Sequence, residues 1–118
     1  MPAHALAAIQ AAAAAALRDP QMRGVQWNFG GSVEPVSAFL DLEHDDAMVF
    51  ILEQVALLTE ADLCETLTAR EPHVDVYAHT ARRSDWYVKL GLRGAVLYVV
   101  SFHPPTHPMR RLASRVKV

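Results

Sequence analysis

Apolar positions along this chain follow two different periods. In the first part they recur every three or four residues. Leu6, Ile9, Ala13 and Leu17 form one stripe, which predicts an amphipathic helix from about Ala3 to Arg18. Asp19-Pro20 stops it, because the residue before a proline avoids the helical region. Val25 to Phe29 reads as a short strand ended by Gly30-Gly31, and Pro35 opens a single helical turn through Leu40. A second helix is expected from about Asp45 to Leu58, with Met48, Ile51, Leu52 and Val55 as its buried stripe. The acidic pair Asp45-Asp46 suits its positive N-terminal end. Thr59-Glu60-Ala61-Asp62 has the form of a capping box, and a third helix should follow it to about Arg70, burying Leu63 and Leu67. Pro72 closes that helix.

Beyond Pro72 the period changes to two. Val74, Val76 and Ala78 alternate with Asp75, Tyr77 and His79. A second strand covers Asp85 to Leu92, with Val88 and Leu90 on one face and Tyr87 and Lys89 on the other. Arg93-Gly94 makes a tight turn. Ala95 to Phe102 is apolar on both faces, as a central strand should be. Helices followed by an antiparallel meander predict an α+β domain over residues 1–103, with the helices on one face of a C-terminal sheet. The open face is expected to carry Asp75, Tyr77, His79, Tyr87 and Lys89. His103-Pro104-Pro105 ends the last strand, and residues 104–118 read as a basic tail.

A length of 118 residues fits one domain, and 52% apolar with 20% charged residues is globular rather than disordered. The lone Cys64 excludes an intrachain disulfide and a Cys-based zinc site, and fits a reducing compartment. The alanine run Ala11–Ala16 is too short to span a bilayer, and no Lys or Arg precedes it as a signal peptide requires. It therefore reads as a soluble helix, and the protein as cytoplasmic with no membrane partner. No regular repeat is visible.

Charge alters this picture. Residues 1–75 carry three basic and twelve acidic side chains, a net of −9. Residues 76–118 carry eight basic side chains and one acidic, a net of +7, and hold all three tyrosines. A basic end suggests a polyanionic partner, although a basic segment can equally be an ordinary solvated surface.

Within this second half, Leu58-Thr59-Glu60-Ala61-Asp62-Leu63, Asp75-Val76-Tyr77, Trp86-Tyr87-Val88-Lys89-Leu90 and Val100-Ser101-Phe102 occur in order. The set resembles the motility quorum-sensing regulator (MqsR-like) toxins, within the RelE-like fold group of small bacterial ribonuclease toxins. The resemblance covers residues 45–103. It implies a RelE-like α+β fold and a metal-independent, cofactor-free endoribonuclease that cleaves mRNA and is silenced by a cognate antitoxin. The family's functional tyrosine falls on Tyr87. Three other functional positions differ. Glu65 and His103 stand where the family has lysines, and Val74 stands where it has a glutamine. A non-catalytic RNA- or protein-binding module on the same fold is the alternative.

Cleaving RNA without metal needs a base, an acid and cations for the charged phosphorane. His103, at the end of the core strand beside Tyr87, is the candidate proton-transfer residue with Tyr87, and His79 is the third. Lys89, on the face of Tyr87, is a candidate phosphate ligand, as are Arg82 and Arg83 in the turn before that strand. The bland alternatives are a strand-end histidine bonded to backbone, a strand-favouring tyrosine, and solvated lysine and arginines. Met109 to Lys117 could track an RNA backbone through nonspecific charge. His103-x3-His107 has no cysteine or nearby carboxylate to complete a metal site. No Gly-rich phosphate loop or nucleophile elbow is present.

Overall fold

The computed structural model describes residues 2–115. Helix α1 spans Leu6–Arg18, strand β1 Val25–Trp27, helix α2 Val33–Leu40 and helix α3 His44–Val55. Strands β2 (Leu63–Leu67), β3 (Val74–Ala81), β4 (Ser84–Arg93) and β5 (Val96–His103) follow, then a short helix α4, Leu112–Arg115. The fold is α+β, with helices first and strands after. No helix among the described residues is long and apolar enough to cross a membrane.

The sheet has five strands in the order β1-β5-β4-β3-β2. All pairings are antiparallel except β1 with β5, which is parallel, with Val25 opposite Leu97. The early strand therefore joins the sheet at its far edge, beyond the meander expected from the sequence.

The helices pack on one face. Ile9, Ala13 and Ala16 of α1, Val33 and Val36 of α2, and Phe50, Ile51, Leu52 and Val55 of α3 bury against Tyr77, Trp86, Val88, Leu90, Leu97, Val99 and Phe102 of the sheet. Trp86 sits edge-on to Phe39 and Phe50 and tilted against Phe102, all within 5.2–6.2 Å between ring centroids. Such pairs add to the burial energy of the rings. The carboxamide of Gln10 donates to the carbonyls of Val55, Ala56 and Leu58 at 2.9–3.2 Å, satisfying the open C-terminal end of α3 and fixing α1 to it.

Two expectations fail, each for a physical reason. The capping box of Thr59 and Asp62 is present, but it caps one 3-10 turn, Glu60–Asp62, and not a helix. Residues 63–67 are instead the edge strand β2. A spacing of four between Leu63 and Leu67 fits a helix and also puts both on one face of a plain strand. Tertiary pairing then decides, since β3 offers an unpaired edge whose backbone groups β2 satisfies. A bulge at Cys64 shifts the register, so Leu63 enters the core while Leu67 turns to the opposite face.

The second failure concerns β3. Its five residues from Asp75 to His79 are all buried, so alternation cannot say which set faces the helices. Asp75, Tyr77 and His79 lie under the helices, and Val76 and Ala78 face the other way. The Asp75 carboxylate accepts the N–H groups of Ala3 (2.7 Å) and His4 (3.1 Å) and the Thr66 hydroxyl (2.6 Å). Three donors compensate its complete burial and clasp the chain ahead of α1 to the sheet.

Candidate functional site

Strand alternation on β4 puts Tyr87 and Lys89 on the face away from the helices, as expected. The β4–β5 register then sets His103 directly opposite Tyr87. The two rings stack with centroids 5.1 Å apart and planes 14° from parallel. Lys89 Nζ lies 5.8 Å from the centroid of the Tyr87 ring. An imidazole and an amine thus lie 5.1 and 5.8 Å from the centre of the phenol ring, all on strands rather than on loops.

One hydrogen bond orients the imidazole. His103 Nδ1–H donates to the Pro104 carbonyl at 2.8 Å. Nδ1 therefore carries a proton, and in the uncharged tautomer that leaves Nε2 with the lone pair that can accept one. Burial raises the Tyr87 hydroxyl above its ordinary value of 10.0, and Glu65 and then Cys64 raise it further. The phenol stays protonated at neutral pH and so has a proton to donate.

Glu65 is a member of this face that the sequence did not reveal. The expected helix over this segment gives it no place beside Tyr87, whereas strand β2 does. The bulge in β2 turns Cys64 and Glu65 toward the Tyr87 side, where both line a groove of about 220 Å³ with Val76 and Tyr87. Its other wall is the chain itself, since Thr106, His107, Pro108, Met109 and Arg110 close the groove.

The segment after β5 thus lies across the sheet as a strap. Met109 packs against Cys64, Val76 and Ala78, and Leu112 reaches the main core. Arg111 pins the strap, donating from Nε to Asp62 Oδ1 and from Nη2 to the Ala78 carbonyl, both at 3.1 Å. The apolar residues Met109 and Leu112, three apart in a basic run, were the available signal for this docking. The expected RNA-tracking stretch ends in Val116 and Lys117, which lie outside the described residues.

Other expected residues lie elsewhere. His79 is on the helix side, where its Nε2–H donates to Gln54 Oε1 of α3 at 2.8 Å. It does not share a face with Tyr87, because its cross-strand neighbour is the buried Trp86. Burial holds its imidazole below the ordinary 6.5, with Asp62 pulling upward and Arg111 downward. Tyr77, also on the helix side, has its hydroxyl pushed up to about 12, chiefly by burial.

Arg82 and Arg83 form the two-residue turn between β3 and β4, both with positive φ (53° and 60°). This primed geometry matches the twist of the hairpin but ordinarily takes Asn-Gly. The Arg82 guanidinium lies 5.2 Å above the Phe50 ring, again on the helix side, and Arg83 is exposed at the tip. Neither is brought into the Tyr87 cluster by a contact with it. Among the described residues, no group of three His, Cys, Asp or Glu side chains could hold a metal ion.

No protein-family model matches this chain, and no curated protein sequence matches it.

Proposed function

We propose that this protein is a metal-independent endoribonuclease that cleaves mRNA, working in the cytoplasm as the toxin of a toxin–antitoxin pair with the RelE-like fold. The observation that carries this reading is the stacked Tyr87–His103 pair with Lys89 over the tyrosine ring. The resemblance of residues 45–103 to MqsR-like toxins supplies the toxin role and the antitoxin partner.

The chemistry follows from the proton or charge that each group can supply. His103 Nε2 takes the proton of a ribose 2′-OH, and the freed oxygen attacks the adjacent phosphorus. Lys89 balances the charge that builds on the phosphorane oxygens. The P–O5′ bond breaks, and the leaving oxygen takes the Tyr87 hydroxyl proton. Tyr87 regains a proton from water and His103 releases one to it. The products are a 2′,3′-cyclic phosphate and a 5′-hydroxyl end.

The test is cleavage of a purified transcript in the presence of a chelator. Fragments with cyclic-phosphate and 5′-hydroxyl ends are expected, with the rate lowered roughly 10²–10⁴-fold by His103→Ala. Cleavage abolished by the chelator, or undiminished in His103→Ala, would refute the assignment. The toxin role is checked separately by inducing the gene alone. Growth should stop, and co-expression of the neighbouring gene's product should restore it.

A second reading, a non-catalytic RNA- or protein-binding module, draws on Glu65. Its carboxylate stands beside Tyr87 on the face where an RNA backbone would run. Soluble wild-type protein that binds RNA and leaves it intact would favour this module.

A further inference from the structure

A second concavity opens on the same face of the sheet, on the other side of Lys89. It has a volume of about 400 Å³, within the roughly 300–1,000 Å³ range of ligand pockets. Its floor is the sheet: Val74 of β3, Lys89 of β4, and Tyr98 and Val100 of β5. Leu67 of β2 and the connection from β2 to β3, including Arg70 and Pro72, form the rim.

Two backbone features build this shape. A bulge in the β4–β5 pairing leaves Val100 as an extra residue in β5, between Val99 opposite Leu90 and Ser101 opposite Lys89. The Asn28 side-chain amide donates to the carbonyl of this bulged residue at 3.0 Å, so the irregularity is satisfied rather than strained. Gly91 lets the β2–β3 connection close down on the floor. A Cβ there would stand 3.1 Å from the His73 carbonyl oxygen and 3.1 Å from Val74 Cγ1.

The chemistry of the wall selects an occupant. Leu67, Pro72, Val74 and Val100 are apolar, and Tyr98 adds an aromatic ring. Lys89 and Arg70 bring positive charge. The carboxylate on the wall, Glu71, lies 3.3 Å from His73 Nε2. Lys89 is shared, since it lines this groove and also overlies the ring of Tyr87. A ligand that suits both places has a flat apolar body joined through a short linkage to an anion. A nucleotide has this form, with its base in the groove and its phosphate on Lys89.

We propose that this groove is a base subsite that holds one nucleobase against Tyr98 while Lys89 holds the attached phosphate next to Tyr87 and His103. The proposal rests on the ribonuclease reading above and deepens it. Stacking on an aromatic side chain is the general way proteins hold an unpaired base.

The experiment is an amide chemical-shift titration of the whole protein with adenosine 5′-monophosphate, with ribose 5-phosphate as the base-free control. The nucleotide should shift Leu67, Val74, Lys89, Tyr98 and Val100, and bind at least about tenfold more tightly than the sugar phosphate. Tyr98→Leu keeps an apolar, strand-compatible side chain and removes the ring. It should weaken the nucleotide on the order of tenfold and leave the sugar phosphate unchanged. Amide positions distant from the groove report that the variant is folded, and the wild-type shift map needs no variant. Equal binding of the two ligands, or shifts confined elsewhere, overturns the base subsite even if RNA is cleaved. Nucleotide preference at these residues in a protein that cleaves no RNA upholds the site and refutes the ribonuclease reading instead.

Discussion

The side of the sheet beneath the helices carries Trp86, Val88, Leu90, Leu97, Val99 and Phe102, nearly all withdrawn from solvent. Its polar members, Asp75 and His79, are engaged with the N-terminal amides and with Gln54. The opposite side carries Tyr87, Lys89, His103 and Glu65, all with some solvent access, and is crossed by a strap without regular structure over residues 104–111. Both sides are built by the same strands. The helix side binds its reactive groups into the fold, whereas the strap side leaves them near two grooves. Position on one face or the other, rather than residue type, separates a structural histidine such as His79 from a candidate site histidine such as His103.

The sharpest way to break this contrast is to truncate neighbouring residues of β4 that point opposite ways. Trp86→Ala removes a fully buried ring from an aromatic cluster and should lower stability by about 3–5 kcal/mol in urea unfolding. Tyr87→Ala, on a half-covered side, should cost about 1 kcal/mol and abolish most cleavage. Equal losses of stability would mean that the strap side also serves mainly as core.

A smaller effect is expected at the clasp. Asp75→Ala leaves the amides of Ala3 and His4 and the Thr66 hydroxyl without their acceptor, and should cost about 2–3 kcal/mol. Amide exchange should accelerate at residues 3–6 while the Tyr87 region stays protected. Unchanged exchange there would show that the clasp holds nothing.

The mildest prediction concerns pH. Burial holds His79 below its unfolded value of 6.5, so the unfolded chain binds a proton more readily than the folded one. The stability contributed by neutral His79 is complete above 6.5 and is lost as pH falls from there through the folded value. The melting temperature should decline over that window, and His79→Gln should flatten this decline. An equally steep decline in the variant would place the titrating group elsewhere.

These contrasts also mark what could be read from the sequence. On β4 one face is apolar and the other polar, so period and face were both legible, and with them Tyr87 and Lys89. Pro104 marks His103 as the strand end, and its candidate role rests mostly on the resemblance to MqsR-like toxins. On β3 both faces are buried, so the period is legible but the face is not, and His79 lies on the side opposite to the expected one. Residues 63–67 misled because a four-residue spacing serves either structure and the bulge leaves no compositional trace. Glu65 was hidden with them. The parallel pairing of β1 depends on a partner about seventy positions away, which no local pattern encodes.

That distant pairing differs in kind from the one that assembles the site. Val25 opposite Leu97 closes a loop spanning most of the domain, and the same strand β5 delivers His103 to Tyr87. The first is a long closure and the second crosses only the tight turn between Arg93 and Val96, and the entropic cost of closure grows with length. Tyr87, Lys89 and His103 all lie on that one hairpin, whose pairing needs no contact with β1. The cluster is thus a property of one contiguous hairpin, residues 84–103, rather than of the chain's two distant ends.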